Sequence, residues 1–599
     1  MWKIKGFFLI SFASSLIFTV TSSDEDDFKN DICTNHSSKN SFTLADYLVV
    51  GVMLLVSCII GTFYGFFGKK QKTSDDFLLG GSNMGTIPMS LSLAASFITA
   101  VELLGNPAEM YKFGTQFWTI CFAFLLVIPV TTNFYLPIFM KLKLTSSFEY
   151  LEMRFNRSVR LFAAMIYALQ MTLYTSVTVY APAIALSHVT GMGVLLAVSV
   201  VYCVCIFYSS QGGMKAVIMT DTFQAVVLIL SLILIIVLGQ LEVGSISHVF
   251  NIAYESGRIE LFKWNPSFTE RHTIWTQVIG GFAYWIPMFC SNQASIQKYL
   301  SVETIKQVRI AVWVSAISII VIYTMNFYTG MIVFTQYYQC DPLNKINGKS
   351  ELNSKDEILP YYIMNVLGKY YGVPGFFVAG IFAASLGEFK TAARTVASAL
   401  NSLAAITIKD FLEAGLNIKV HENKGPLLLK WISVIFGAFS FFLIFLVKQM
   451  DSVLKGALMG SITSLIFISW LGINSQIAET NGYISEFNKP FFSYNCTNCL
   501  NFVQVPFEQN SDYMWYSAIG LVLTITIGIL YSWLTGFEDP CRIHPDLISP
   551  PMKKFYSSFS NSVKEKLHLP IETKAGIRIN QFSMVNYNKK TNFEKIVDE

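Results

Sequence analysis

The chain has 599 residues, of which 53% are hydrophobic, 15% aromatic and only 14% charged, with a mean hydropathy of +0.48. A soluble protein carries about 25% charge, so this composition excludes a soluble globular protein, a disordered one and a nucleic-acid binder. The net charge of +4, the 10 cysteines and the 7 scattered histidines make neither a basic interface nor a disulfide scaffold, and no paired CxxC, HxxEH or GxxxxGK[ST] string offers a metal or phosphate site.

In chain order, residues 1–22 place Lys3 and Lys5 before an apolar stretch that closes on Thr21, Ser22 and Ser23. They read as a signal peptide or as a frayed apolar N-terminus. Residues 23–45, acidic over 24–31 and carrying a glycosylation sequon at Asn35, read as extracellular. A membrane domain then fills 46–537, because a hydrocarbon core of roughly 30 Å takes about 20 apolar residues as helix. Charge-free runs of that size fall at 47–68, 77–101, 114–140, 161–214, 222–241, 273–297, 310–340, 371–387 with an imperfect continuation over 395–408, 431–447, 456–478 and 513–537. The run 161–214 holds two helices, divided at His188 to Gly191 by a turn signal, which gives about twelve spans. Backbone groups cannot go unpaired in lipid, and short alternating segments are absent. The fold class is therefore an all-α polytopic membrane bundle.

Lysine and arginine set its orientation. With the N-terminus outside, the first span exits onto Lys69, Lys70 and Lys72, and the third onto Lys141, Lys143, Arg154, Arg157 and Arg160. The loop after Gln297, with Lys298, Lys306 and Arg309, and the basic tail 538–599 also fall in the cytoplasm. This is the topology of a multi-pass plasma-membrane protein. Lys215 and the tail lysines suit anionic lipid better than a ligand. Parity fails at one point. The segment 479–512, with its sequon at Asn495 and with Cys496 and Cys499, reads as extracellular, yet the spans 431–447 and 456–478 would both have to cross outward to reach it. A return helix is missing between them, or the C-terminal part is inverted against its charges.

Several strings, in order, resemble the sodium–solute symporter family, which has the LeuT-type five-plus-five inverted-repeat fold. They are DDFLLGG (75–81), SLAASFITAVELLGNPAEMYKFG (92–114), FEYLEMRFN (148–156), GGMKAVIMTDTFQ (212–224), NQASIQKYL (292–300), DEILPYYIM (356–364), GIFAASL (380–386) and TVASALNSLAAITIKDF (395–411). The resemblance is to the animal branch that carries monocarboxylates, iodide and vitamins. It implies a first repeat at 84–108, 114–140, 158–187, 193–211 and 220–241, and a second at 273–295, 307–338, 371–408 and 428–447. The family's tenth core helix is absent before KGALMGSITSLIF (455–467), the gap that parity finds; a skipped exon or a faulty gene model would explain it. A second departure adds about seven residues after Leu386, nearly two helical turns, including Glu388, Lys390 and Arg394.

The resemblance also implies a site. Broken helices in this fold expose carbonyls and helix ends to Na⁺ and solute near the bilayer midplane. The sodium site would use the carbonyls of Ala95, Ile98 and Ala384 and the hydroxyl of Thr395. Its serine position is filled by Gly387 or Arg394. A guanidinium at Arg394 would mimic a bound cation and permit sodium-independent exchange. Phe97, Tyr284, Trp285, Met288 and Phe289 would line a substrate pocket or simply pack in core or lipid. Glu102 precedes Gly105, Asn106 and Pro107, which are expected to break or end that helix. It faces the substrate, or it sits solvated at the outer mouth. Asp221, at the start of the fifth core helix, leads Na⁺ inward or complements the helix dipole. Asn292 and Gln293 form a polar inner gate.

The first functional reading is a sodium-coupled symporter of small organic anions or vitamin-like solutes, with no cofactor beyond Na⁺ as coupling ion and the bilayer as its other partner. The second is a transport-defective or sodium-independent relative acting as sensor, leak or exchanger. A membrane enzyme, such as an acyltransferase, would need a helix-borne histidine or a Ser/Cys–His pairing, and the sequence offers neither. Neither the solute nor the oligomeric state follows from the residues.

Overall fold

The computed structural model describes residues 42–63, 84–171 and 194–385 with short interruptions, positions 406, 407, 410 and 432, and residues 514–535 and 548–559. Helix α1, Leu44–Thr62, starts at a capping box in which Asp46 reaches back to the Thr43 N–H, satisfying a donor that the first turn leaves orphaned. Next come α2, Thr86–Phe97, and α3, Ala100–Phe113. A continuous span, α4, runs over Thr115–Leu142. A helix covers 159–168, and α5 runs over Val194–Val243. The remaining elements are α6 (Ile246–Glu255), α7 (Gly281–Cys290), α8 (Gln293–Leu300), α9 (Ile305–Tyr337), α10 (Ile358–Asn365), α11 (Val373–Ser385), α12 (Met514–Thr535) and α13 (Pro550–Ser557). No strand occurs among the described residues.

Among those residues three helices are long and apolar enough to cross a membrane singly: Thr115–Leu142, Met214–Val243 and Ile305–Tyr337; the bent pair α2 and α3 passes the same test of length and composition when counted as one broken span. Their apolar residues do not all turn inward. Leu230, Ile233, Val237 and Leu241 on α5, and Ile310, Trp313, Val314, Ile317 and Val321 on α9, are exposed. They recur at helical spacing, which is an outward apolar stripe suited to lipid. The inward faces pack α9 and α5 against α2, α9 against α3, and α1 against α5 and α11. One close approach falls where a side chain would not fit: a Cβ on Gly330 of α9 would lie 2.8 Å from the Pro107 carbonyl of α3.

Two expectations are corrected. The helices expected at 193–211 and 220–241 are one element of 50 residues. It passes through Gly212 and Gly213, which cost a helix only about 1 kcal/mol each. At about 1.5 Å per residue it is longer than two bilayer cores, so the connection between those spans is itself helical. Asp221 therefore lies in mid-helix and complements no helix N-terminus. The break expected at Gly105, Asn106 and Pro107 lies earlier, between Phe97 and Ala100, and α3 carries Pro107 in its interior. One proline removes a single backbone bond, and the contact with Gly330 holds the helix around it.

Candidate functional site

The site begins with two interruptions that face each other. After Phe97 the backbone turns extended at Ile98, with φ −107° and ψ 108°, and the chain bends by 54° before α3 resumes. The last turn of any helix has carbonyls without intrahelical partners; here that turn includes Ala95, and both Ala95 and Ile98 are buried. The second interruption lies between Ser291 and Asn292. Pro287 accepts from both of their N–H groups, at 3.1 and 2.9 Å, which closes α7, and the Asn292 side chain accepts from Ala294 N at 2.9 Å, which opens α8. The two breaks meet through their aromatic residues: Phe97 stacks on Phe289 with ring centroids 4.1 Å apart.

A buried aromatic wall grows from that stack. Trp285 meets Phe97 edge-on at 5.8 Å, Phe124 of α4 packs on Trp285 at 4.9 Å, and Tyr323 of α9 packs on Phe124 at 5.5 Å. The Trp285 Nε1 donor is buried without a hydrogen-bond partner among the described residues. Of the residues expected to line a pocket, Phe97, Trp285 and Phe289 are therefore brought together, and Met288 is half-buried beside them. Tyr284 touches Trp285 edge-on at 5.3 Å but is 40% exposed. Glu102 is half-buried in the first turn of α3, where a carboxylate complements the positive end of the helix, and its charge reaches the Tyr284 hydroxyl. Phe124 and Tyr323 carry no sequence signal of a site; each is one aromatic residue among many on a long apolar helix.

Beside α2 lies a polar cluster. Asp221 is fully buried and accepts from the Ser92 hydroxyl at 2.5 Å and from Lys298 Nζ at 3.1 Å. Lys298, expected in a cytoplasmic loop, is instead 1% exposed on α8. Its ammonium also donates to the Ser92 carbonyl at 3.2 Å and to the Ser96 hydroxyl. Gln293 and Asn292, the expected polar gate, tie α8 to neighbouring segments: Gln293 Oε1 accepts from Ser147 N at 2.6 Å, and the Tyr167 hydroxyl donates to Asn292 Oδ1 at 3.3 Å. On the same side, buried Arg160 pairs with Asp410 and with Glu152, and the Ser146 hydroxyl donates to Asp410 at 2.8 Å.

At the far end of α3 lies a second charged cluster. Glu109 meets Arg271 at 2.7 Å, His272 at 2.6 Å and Lys355 at 3.1 Å. Next to it the Tyr111 hydroxyl donates to Asp341 at 2.8 Å, and Arg258, fully buried, stacks 3.7 Å above the Phe334 ring and donates to the Tyr111 carbonyl at 2.9 Å. Burial pulls Arg258 down to about 10 and pushes the Asp341 carboxyl above its ordinary value. The turn that lets Arg258 in is Gly114, at φ +98°, where a Cβ would sit 2.5 Å from the Arg258 carbonyl.

The expected partners from the second repeat are less visible. Ala384 lies on the α11 backbone. Thr395, Arg394, the departure after Leu386, the junction before residue 455, and the sequons at Asn35 and Asn495 lie outside the described residues.

Residues 77–470 match the model of the sodium:solute symporter family. The chain is 32% identical to the human (Homo sapiens) sodium-coupled monocarboxylate transporter 1, over 83% of this chain and 88% of that one. It is 31% identical to a putative sodium-dependent multivitamin transporter of Drosophila melanogaster, over 85% and 91% of the two chains. Among solved structures, a Na⁺-coupled sialic acid symporter in a substrate-bound outward-open state superposes with a TM-score of 0.67 at 23% identity, covering 82% of this chain and 98% of that one, so the expected LeuT-type fold is the one adopted. These relatives are transporters, not enzymes, and this multi-pass membrane chain belongs to the sodium:solute symporter family.

Proposed function

We propose that the protein carries small organic anions or vitamin-like solutes, monocarboxylates foremost, across the plasma membrane together with Na⁺, with its N-terminus outside and its C-terminus in the cytoplasm. The observation that carries this reading is the pair of facing helix interruptions, at Ile98 and at Ser291, joined by the stacked rings of Phe97 and Phe289. The end of α2 presents carbonyls and a negative dipole end, while the start of α3 presents N–H groups and a positive one. A cation suits the first and a carboxylate the second. We assign Na⁺ to the carbonyls of Ala95 and Ile98, with Ala384 and Thr395 as partners from the second repeat, and the solute to the aromatic wall.

Pairing the two ions also solves an energetic problem. An isolated carboxylate leaving water for the bilayer interior faces a desolvation cost of several kcal/mol. A sodium ion alongside neutralises it, so the pair crosses more readily than either ion alone. Glu102 modulates this: while ionised it competes with the solute carboxylate for the start of α3. The test is radiotracer uptake by cells displaying the intact chain, across a panel of short monocarboxylates, biotin and pantothenate, in Na⁺ and in choline media. Uptake of at least one solute should require Na⁺; uptake of none in Na⁺, or uptake indifferent to choline replacement, refutes the reading. Glu102→Gln should raise apparent affinity for anionic solutes and flatten the pH profile of uptake.

A further inference from the structure

The face of α9 that carries Tyr323 into the aromatic wall continues into an amide that bonds to nothing. Asn326 lies three residues on, which is the same side of a helix, and it is fully buried. Neither its Oδ1 nor its Nδ2 has a hydrogen-bond partner among the described residues. A carboxamide side chain can donate twice and accept twice, so the whole capacity of this one is unused. Across the helix contact Asn106 of α3 repeats the pattern: it is buried, and its Nδ2 is also without a partner among the described residues.

The two amides occupy facing turns. The Tyr111 and Phe334 ring centroids are 5.9 Å apart, and a Cβ on Gly330 would lie 2.8 Å from the Met110 Cβ, so α3 and α9 run side by side in the same direction. Asn326 lies one turn before Gly330, and Asn106 one turn before Met110. Amides placed to bolt the two helices together would bond to each other, and these do not. A pair of leucines would pack there without burying an unmet polar group, which disfavours the folded state. What the pair suits is a ligand group that both donates and accepts, such as a hydroxyl or a primary amide. Both side chains are neutral, so they give an ionised group no counter-charge.

We propose that Asn326 and Asn106 form a polar subsite, beyond the aromatic wall, that recognises a neutral hydroxyl or amide at the far end of a monocarboxylate. The subsite rests on the symport reading for one point, the placing of the solute carboxylate at the start of α3. From Ala100 to Asn106 that helix rises about 9 Å. An extended chain covers about 3.5 Å per three bonds, so about seven bonds between a carboxylate oxygen and a terminal oxygen cover most of the distance and hydrogen bonds cover the rest. ω-Hydroxyhexanoate has that length, whereas acetate and propionate are too short to touch both ends. The amides are enclosed in the present arrangement, and the break between Phe97 and Ala100 leaves α3 free to part from α9 and admit the solute.

Calorimetric titration of the purified full-length chain in detergent tests this. Hexanoate, ω-hydroxyhexanoate, adipate monoamide and adipate are compared in NaCl and in choline chloride, for wild type, Asn326→Leu and Asn106→Leu. In NaCl the hydroxyl and amide probes should bind wild type about tenfold more tightly than hexanoate, adipate should bind no better than hexanoate, and both variants should lose the preference. Unliganded Asn326→Leu should melt no lower than wild type, because no bond within the fold is lost. Equal affinity of wild type for hexanoate and ω-hydroxyhexanoate overturns the proposal and marks the amides as holders of ordered water; binding of none of the probes overturns it as well. An Asn326→Leu chain that fails to fold, or melts well below wild type, also overturns it, by showing that the amide is bonded within the protein. A preference for the hydroxyl that is the same in choline leaves the subsite standing and refutes the coupled reading; Na⁺-dependent binding without the preference does the reverse.

Discussion

At the scale of single residues, the buried aromatic wall and the buried acid beyond it make separate predictions. Trp285 Nε1 is a buried donor with no acceptor among the described residues, and an unmade buried hydrogen bond costs about 1–3 kcal/mol. A solute carboxylate would supply the acceptor. Trp285→Phe keeps most of the ring that packs on Phe97 and Phe124 but removes the donor. The Michaelis constant for anionic solutes should rise about tenfold, the equivalent of one such bond at 1.4 kcal/mol per decade, with little change in maximal rate; an equal rise for neutral analogues would show that only packing was lost. Asp341 makes a prediction about pH. Burial raises its carboxyl above the ordinary value, against the opposing pull of the Leu343 N–H, the Tyr111 hydroxyl and the Arg258 charge. The folded chain therefore holds that proton more tightly than the unfolded chain does. The favourable contribution is complete below the ordinary carboxylate value and is lost as pH rises through the raised one. The thermal midpoint of wild type relative to Asp341→Asn should climb on acidification from neutrality, and a difference that stays constant with pH would remove Asp341 from the account. Phe97, Trp285 and Phe289 could be singled out only through the motifs that resemble the family, because the break at Ile98 that brings Phe97 to Phe289 leaves no local signal. Lys298 could not be: a lysine after an apolar run reads as a loop charge, and only the buried carboxylate 77 positions away in the chain explains why it is inside.

At the scale of elements, what matters is how helix ends are tied down. Asp46 is 1% exposed and serves two helices at once. One oxygen accepts from Thr43 N at 2.8 Å and caps its own helix, α1; the other accepts from Gly375 N at 2.8 Å and caps α11. The contact is tight because residue 375 is glycine: a Cβ there would sit 2.4 Å from the Asp46 Cα. A lost cap costs about 1 kcal/mol. Asp46→Ala loses both caps, whereas Asp46→Asn keeps one carbonyl acceptor for one of the two donors. Thermal midpoints in detergent should fall in the order wild type, Asp46→Asn, Asp46→Ala, and an alanine variant as stable as wild type would contradict the double role. Element existence was mostly readable from hydropathy, since runs such as 114–140 and 513–537 became Thr115–Leu142 and Met514–Thr535. Interruptions were harder. Pro107 carries the strongest breaking signal in its segment, but a breaker acts only where neighbours leave its backbone unsupported, and α9 supports this one at Gly330. The real break at Ile98 has no proline or glycine; it is set by what α2 and α3 pack against, which is a property of the assembled bundle.

At the scale of the whole molecule, the same logic governs opening and closing. Alternating access requires that one face be shut while the other is open, and the described contacts shut the face that we assign to the cytoplasm. Arg160 pairs with Asp410 and Glu152, Ser147 N donates to Gln293, and Tyr167 donates to Asn292. The Arg160 and Asp410 side chains are 4% and 0% exposed, so their pair lies in a low-dielectric setting. Removing one partner of such a pair costs about 3–5 kcal/mol, because the other charge is left buried alone. Each 1.4 kcal/mol is tenfold in a population, so Arg160→Gln should shift the balance toward an open inner face by at least about a hundredfold, provided Asp410 regains water there and not in the closed state. A thiol probe reads this directly. Ser147 is 6% exposed in the closed arrangement, and a Ser147→Cys variant should react slowly with a membrane-impermeant maleimide offered from the cytoplasmic side of inside-out vesicles. Adding Arg160→Gln should accelerate that reaction, whereas Lys369→Gln, which breaks the half-exposed pair with Glu242, should leave it alone. Equal labelling rates with and without Arg160 would mean that the inner face is held shut by packing, and that the ion pair merely decorates a closure made elsewhere.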